Sequence, residues 1–443
     1  MQTIKYRTAF ITITILFFLW GFITVLVDSL IPRLRDVFDL SYFQAGLVQF
    51  AFFLAYFVFS IPAGFLLSKI GYKKGIIIGL VAMAIGCLLF SPAASNRLFW
   101  VFLVGYFTLA GGITILQVAA NPYVALLGNE SGASSRLNLS QAFNSLGTTI
   151  APIVGALFLL SDTIKSPEEI SVLNEAEKSS YYVSEAAAVQ TPFILIAGFI
   201  GLLAIFFLFI KLPKLMQASP RGGYRQLLKN KMVLMGVFGI FIYVGAEVAI
   251  GSYLVNYFLD MNLAGVVAEN KVMMNIANTI AEVFNYSFSG KDPKSLLGIF
   301  VTFYWGGAMI GRFVGAYLTK ILAPAKVLSI FASLSMLLIL ISINKNGLVA
   351  MWSILSVGLF NSIMFPTIFT LTLEGLGDLK AQASGLLCTA IVGGAIVPPL
   401  YGFLTDMLGF KLALFLLIIC YGYILFFGYK KLKYKKLGVN STN

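Results

Sequence analysis

The chain is 443 residues long, 59% hydrophobic and 11% charged, with 31 Lys and Arg against 18 Asp and Glu and no histidine. A water-soluble domain carries about a quarter charged residues, so an ordinary soluble fold is excluded, and without histidine there is no imidazole proton relay. The net charge of +13 falls in short clusters between apolar runs, which is a topological pattern and not a nucleic-acid-binding face.

A bilayer span needs about 20 mostly apolar residues. Runs free of Asp, Glu, Lys and Arg cover residues 10–27, 43–68, 75–96, 98–129, 137–161 and 186–210, and each predicts a membrane helix. Lys5 and Arg7 ahead of the first run imitate a signal peptide. That run is long and no small-residue cleavage site follows it, so an uncleaved first helix is expected. The stretch 211–231 is basic and contains Pro213, Pro220, Gly222 and Gly223, the expected linker between residues 1–210 and 232–443. Beyond it, 232–259 and 295–319 are each interrupted by one charge, Glu247 and Arg312, and 327–344, 347–373, 381–405 and 412–429 are uninterrupted. The expected fold is therefore an all-α membrane protein of twelve transmembrane helices in two pseudo-symmetric six-helix halves. Polar loops are expected at 161–190 and 260–294.

With the N-terminus placed in the cytoplasm, the inside segments hold 20 Lys and Arg, including the tail Lys430, Lys431, Lys433, Lys435 and Lys436, and the outside segments hold 10. This two-to-one bias fits the positive-inside rule with both termini cytoplasmic, and part of the charge would rest on anionic lipid. Cys87, Cys388 and Cys420 all fall in predicted spans and have no metal-ligand or disulfide spacing, so they read as small apolar fillers. No cofactor, metal or catalytic residue is expected. No nucleophile–base pair is visible, so the chain does not read as an enzyme.

The halves read as weak repeats. Gln117-Val-Ala-Ala-Asn121-Pro122 in the fourth span aligns with Asn361-Ser-Ile-Met-Phe365-Pro366 in the tenth. With that register, Ala151-Pro152 through Gly155 faces Pro398-Pro399 through Gly402. Repeated halves with Pro- and Gly-interrupted helices point to a site near the midplane between them.

An ionised side chain at the bilayer centre costs roughly 2.5–3.5 kcal/mol on insertion scales, so charges inside spans are functional candidates. Asp28 shares a helix face with Trp20 and Thr24. A carboxylate there can take a proton and lose its burial cost, as proton coupling requires. Glu247, one turn from Tyr243, is a second proton site, a hydroxyl acceptor or a structural acceptor. Arg312 either snorkels to the interface or pairs with a carboxylate during a transport cycle. Amides recur at Gln117 and Asn121, and at Gln141 and Asn144, with Asn361 the symmetry mate of Gln117. Amides donate and accept without charge, which suits an uncharged ligand covered in hydroxyls. Trp20, Phe365, Tyr304 and Trp305 offer flat faces to a sugar ring.

Gly64-Phe-Leu-Leu-Ser68-Lys69-Ile-Gly71-Tyr72-Lys73-Lys74 resembles the signature loop of the major facilitator superfamily, with Ser68 where the signature has Asp. Lys73 is its candidate gating or ion-pair cation. The segments Phe18-Leu-Trp20-Gly21 through Asp28-Ser-Leu-Ile-Pro32, Gln117 through Tyr123, Arg136 through Ser145 and Tyr243-Val-Gly-Ala-Glu247 resemble the fucose:proton symporter family. That family includes L-fucose permeases and glucose/galactose transporters. The resemblance implies proton-driven import of a monosaccharide, assigns proton coupling to Asp28 and assigns sugar contact to Gln141 and Asn144. Fucose permeases carry a glutamate where this chain has Gln117 and a glutamine where it has Glu247, which favours the glucose/galactose branch. The expected function is hexose:proton symport in a bacterial inner membrane by a monomer. The alternatives are an L-fucose or N-acetylglucosamine symporter and a non-transporting sugar sensor.

Overall fold

The structure, a computed structural model, describes residues 2–38, 42–158, 172, 174–215, 223–283 and 292–436. The first half contains α1 (Gln2–Phe38), α2 (Tyr42–Ile70), α3 (Tyr72–Ser95), α4 (Phe99–Leu126), α5 (Ala133–Phe158) and α6 (Glu175–Phe209). A short helix, α7 (Gly223–Lys229), leads into α8 (Lys231–Asp260), α9 (Leu263–Glu269) and α10 (Lys271–Val283). The remainder is α11 (Pro293–Ile321), α12 (Pro324–Asn344), α13 (Gly347–Asn361), α14 (Met364–Leu373), α15 (Lys380–Thr389), α16 (Gly393–Leu408) and α17 (Phe410–Lys436). Among the described residues, 11 stretches are long and apolar enough to cross a membrane. The twelfth membrane helix of the all-α bundle is α5, 26 residues long. It is more polar because it carries Ser134, Ser135, Asn138, Ser140, Gln141, Asn144 and Ser145 on its way through the interior.

Two expected loops differ from what the structure shows. The described part of 161–190 is helical from Glu175 onward, as an extension of α6. Asn174 starts it with a capping box, accepting the Glu177 N–H at 2.9 Å and donating its own N–H to the Glu177 carboxylate at 3.0 Å. Those two bonds satisfy helix-end groups, which the charge content of the segment conceals. Residues 159–171 and 173 lie outside the described residues. The described part of 260–294 likewise includes α9 and α10, with residues 284–291 outside the described residues, and α10 turns Met273, Ala277 and Ala281 inward. That i, i+4, i+8 spacing marks an amphipathic helix.

The lipid-facing surface follows helical period. On α6, Phe193, Ile200 and Phe207 are buried, while Leu195, Leu202 and Phe209 are exposed. Inside, small residues let helices approach closely. A Cβ on Gly79 of α3 would come within 2.9 Å of the Gly112 carbonyl of α4.

The expected linker carries real contacts. In its described part, Pro213 accepts a hydrogen bond from Tyr123 at 3.0 Å, and Tyr224 of α7 donates to the Ile61 carbonyl at 2.6 Å. Gly223 packs against Gln382 of the second half. Residues 216–222 lie outside the described residues.

Lys69, Lys73, Lys74, Arg136, Lys211, Arg225, Lys320, Lys380 and Lys431 gather at one end of the bundle, the basic end. There the halves are joined. Ser134 and Thr370 share a hydrogen bond of 2.6 Å, and Asn138 donates to Thr367 at 3.2 Å. Ser135 donates to the Ala316 carbonyl at 2.7 Å, and Ser384 to the Val118 carbonyl at 2.8 Å. Lys380 pairs with Glu130 at 3.0 Å, and the same carboxylate accepts the Gly375 N–H at 3.3 Å. Partial burial pushes the Glu130 carboxyl upward, but the Lys380 hydrogen bond and charge, the Gly375 N–H and the Lys431 charge outweigh it and hold the carboxyl below its usual range. The contact is therefore present at neutral pH and weakens as pH falls through that lowered value. Glu130 is half exposed, so solvent screens the pair.

Above the basic end the described contact between the halves runs along α2 and α15. Gly64 of α2 faces Gly385 of α15, and a Cβ on Gly64 would lie 3.0 Å from the Ala381 carbonyl. The contact continues up to Phe53 against Gly394, and above it a cavity opens between α2, α8 and α16. Overpacking at such a crossing costs about 1–3 kcal/mol. Gly64→Val should lower the thermal unfolding midpoint in detergent. Gly198→Val, where a Cβ meets nothing within 4 Å, should leave it unchanged. Equal midpoints for both variants would show that the crossing is not tight.

Candidate functional site

Two polar clusters face each other across the seam. In the first half, α4 brings Gln117 and Asn121 to one face, four residues apart. Gln141 of α5 donates to Asn121 Oδ1 at 3.2 Å. All three are buried, yet Gln117 Oε1 and Asn121 Nδ2 have no protein partner. Buried polar atoms are normally hydrogen-bonded, so these two are open to a ligand or water. Asn144 does not join the cluster through its amide nitrogen, which donates to the Phe17 carbonyl at 2.9 Å. Gly21 packs directly on that side chain, so Asn144 fastens α5 to α1. Trp20 is buried, with its neighbour Phe17 edge-on at 5.4 Å. Asp28 lies on α1, and its side chain is outside the described residues.

The second cluster is built on α8, α11, α13 and α17. Tyr243 and Glu247 are one turn apart, and the tyrosine donates to Glu247 Oε1 at 2.8 Å. Arg312 Nη2 lies 3.7 Å from the same oxygen, with side-chain exposures of 17% for Arg312 and 14% for Glu247. Of the two readings of Arg312, the contact present is the ion pair. The guanidinium also donates through Nε to the Ser362 carbonyl at 3.2 Å and through Nη1 to the Ser145 hydroxyl. Ser145 belongs to α5, so this one side chain ties the carboxylate of α8 to the opposite half. Around the pair, Tyr304 donates to the Glu247 carbonyl at 3.3 Å, and Asn361 donates to Tyr304 at 2.7 Å and to Tyr421 at 3.3 Å.

Asn361 and Gln117, aligned by the repeat, thus sit in different surroundings. Asn361 is fully buried among tyrosines, with Oδ1 lacking a protein partner. The fourth span runs unbroken through Pro122, whereas the tenth stops at Asn361 and restarts at Met364. Phe365 opens that second segment, buried and stacked on Phe369 at 5.8 Å. Trp305 is 46% exposed on the outer surface and does not face the clusters. Lys73, the candidate gating or ion-pair cation, donates to the Leu208 carbonyl at 2.9 Å. That carbonyl is one of the unpaired groups at the end of α6, a natural acceptor for a cation.

Sequence reading passed over Ser145, Ser362 and Tyr421. A buried tyrosine hydroxyl needs a partner, and Tyr421 inside an apolar run was the one available signal. Nothing in the sequence singles out Ser145 among the hydroxyls of α5.

A two-half helical bundle, joined at its basic end and holding a buried ion pair at the seam, is the architecture of an alternating-access carrier. The chain belongs to the major facilitator superfamily, whose family model matches residues 9–398. It is 45% identical over 427 residues to a glucose/galactose transporter of Brucella abortus biovar 1 (strain 9-941), covering 96% of this chain and 94% of that one. It is 36% identical over 417 residues to the L-fucose-proton symporter of Escherichia coli (strain K12), covering 92% and 89%. A crystal structure of a major facilitator superfamily transporter, FucP, in the outward conformation superposes with a TM-score of 0.85 at 34% identity, over 96% of this chain and 99% of that chain. The protein is a multi-pass membrane transporter and not an enzyme.

Removing one partner of a buried ion pair costs about 3–5 kcal/mol. Arg312→Gln should therefore destabilise the fold more than Glu247→Gln/Arg312→Gln, because the double variant leaves no lone charge. A double-mutant cycle by denaturant or thermal melting measures this coupling. Strictly additive effects would mean that the two side chains do not interact.

Proposed function

We propose that the protein imports glucose or galactose together with a proton across a bacterial cytoplasmic membrane, acting as a monomer with both termini and the basic end in the cytoplasm. The observation that carries this reading is the uncharged amide cluster with unused hydrogen-bonding atoms, Gln117 Oε1 and Asn121 Nδ2, inside a carrier fold. A hexose offers hydroxyls that both donate and accept and carries no charge to neutralise. The names of the relatives at 45% and 36% identity agree with a monosaccharide cargo, and the higher figure favours glucose and galactose.

In this reading the working division is residues 1–210, a linker at 211–231 and residues 232–443. Sugar is held between the halves by Gln117, Asn121 and Gln141, with Trp20 and Phe365 supplying apolar faces. Asn144 and Asn361 hold helices in the present state and reach sugar only after rearrangement. Asp28 takes the proton. Glu247 is the second acid, replacing the one that Gln117 lacks, and Arg312 carries its charge state to the opposite half through Ser145. Lys73 steadies the end of α6. With the basic end closed, the molecule is open to the outside. Binding of proton and sugar shifts the balance toward the inward state only through tighter binding there.

Uptake into proteoliposomes tests this. A pH gradient, acid outside, should drive accumulation of labelled glucose or galactose, and a protonophore should abolish it. Asp28→Asn should lose accumulation while still exchanging sugar across the membrane. Gln141→Ala should weaken apparent affinity about tenfold, the loss of one well-made hydrogen bond. Competition by L-fucose or N-acetylglucosamine stronger than by galactose would reassign the cargo. Accumulation unaffected by the protonophore would reject symport.

A further inference from the structure

We propose that the cleft between α2, α8 and α16 is a second, shallower binding site for the transported sugar, a loading site that exists only while the end opposite the basic end is open. Its cavity is about 620 Å³, within the roughly 300–1,000 Å³ of small-molecule pockets. Gln49 comes from the first half, and Ser252 and Asn256 come from the second. All three are exposed.

The positions of these polar groups need explaining. Ser252 and Asn256 are four apart on α8, on one face and directed into the cavity. Gln49 reaches in from α2, seven residues after that helix begins. In contact with hydrocarbon, their donors and acceptors would go unpaired, at several kcal/mol each. Convergence from two halves on one cleft marks a watered recess that can exchange water for hydroxyls.

Among the described residues no Asp, Glu, Lys or Arg lines the cavity, so these groups favour a neutral ligand over an ion. Beside the amides and hydroxyl, it is lined by the rings of Phe50, Phe53 and Tyr253 and by apolar Val248, Ala395, Pro398 and Pro399. Tyr253 is braced edge-on against Tyr401 at 5.2 Å, and Phe53 forms the floor where it touches Gly394. Fixed rings beside an amide and a hydroxyl suit the apolar face and hydroxyl rim of a sugar ring. Neither Glu247 nor Gln117, Asn121 or Gln141 lines this cavity, so the recess is separate from the deep clusters. Because Gln49 and Asn256 sit on opposite halves, closing this end reshapes the recess and drives its occupant inward or out. The inference rests on the hexose reading above, since the ligand is the same molecule.

Equilibrium binding of labelled galactose to the purified full-length protein in nanodiscs tests it. The expected result is two classes of saturable site per molecule. Gln49→Ala/Ser252→Ala/Asn256→Ala should weaken one class by about tenfold or more while retaining the other, as losing one or more good hydrogen bonds requires. Gln141→Ala should do the reverse. Should the triple variant fail to fold, as judged by its melting profile, Asn256→Ala and Gln49→Ala singly should each weaken the same class. One class of site in the parent, unchanged in the variants, overturns the loading site but leaves the transport reading intact. No saturable binding of galactose or glucose to the parent overturns the hexose reading and the loading site with it.

Discussion

A charge removed from water must find a counter-charge, and the interior of this bundle is arranged around that requirement. Glu247 and Arg312 are both mostly buried, and either one alone would impose an unpaired charge on a low-dielectric interior. Their pairing forces α8 and α11 into a fixed relation. The remaining guanidinium donors then select further acceptors, the Ser362 carbonyl in the same half and the Ser145 hydroxyl in the other. A carboxylate on α8 is thereby felt at the interface on which the transport movement depends. The tyrosines around it serve the same rule. Tyr243 supports the carboxylate, while Tyr304 and Tyr421 accept from the amide nitrogen of Asn361, whose Oδ1 keeps no protein partner.

The first half is matched less completely. Gln117 and Asn121 keep unpaired atoms in the interior, a cost that persists only where something else can satisfy them. The difference in charge suits the division of labour proposed here, with a charged cluster coupling to the proton and a neutral cluster with open amide atoms receiving cargo. The closed basic end shows a different balance. Its bonds include hydroxyl-to-hydroxyl, hydroxyl-to-carbonyl and amide-to-hydroxyl contacts and the screened Glu130–Lys380 pair, each individually weak. A seam built of many weak bonds over a close Gly64–Gly385 crossing can hold one state without trapping it.

Much of this was legible in the chain. Span count, the two-half organisation, the buried charges Glu247 and Arg312 and the recurrent amides follow from hydropathy and spacing, both local properties. Glu247 and Arg312 stood out because a single charge in an apolar run is expensive wherever it lies. Gln117, Asn121 and Gln141 stood out because amides repeat at helical spacing. Helix extent in the polar segments was harder to read. The capping box at Asn174 and the inward stripe of α10 outweigh a charge content that reads as loop. Lys73 stands out as a gating or ion-pair candidate because its loop resembles a charged signature. Its bond goes to a helix-end carbonyl, an acceptor invisible in one dimension.

The sequence by itself determined that the chain crosses a membrane many times, that its interior carries a few costly charges and a set of neutral amides, and which family pattern those residues follow. Only the tertiary structure decided which partner each polar group has. Asn144 binds helix α1, Asn361 is enclosed by tyrosines, and Ser145 meets a cation from the other half. The physical reason is that the cost of burying a group is a property of the residue and its immediate neighbours, readable along the chain. The group that offsets that cost is chosen by packing between segments more than a hundred residues apart, as with Arg312 and Ser145.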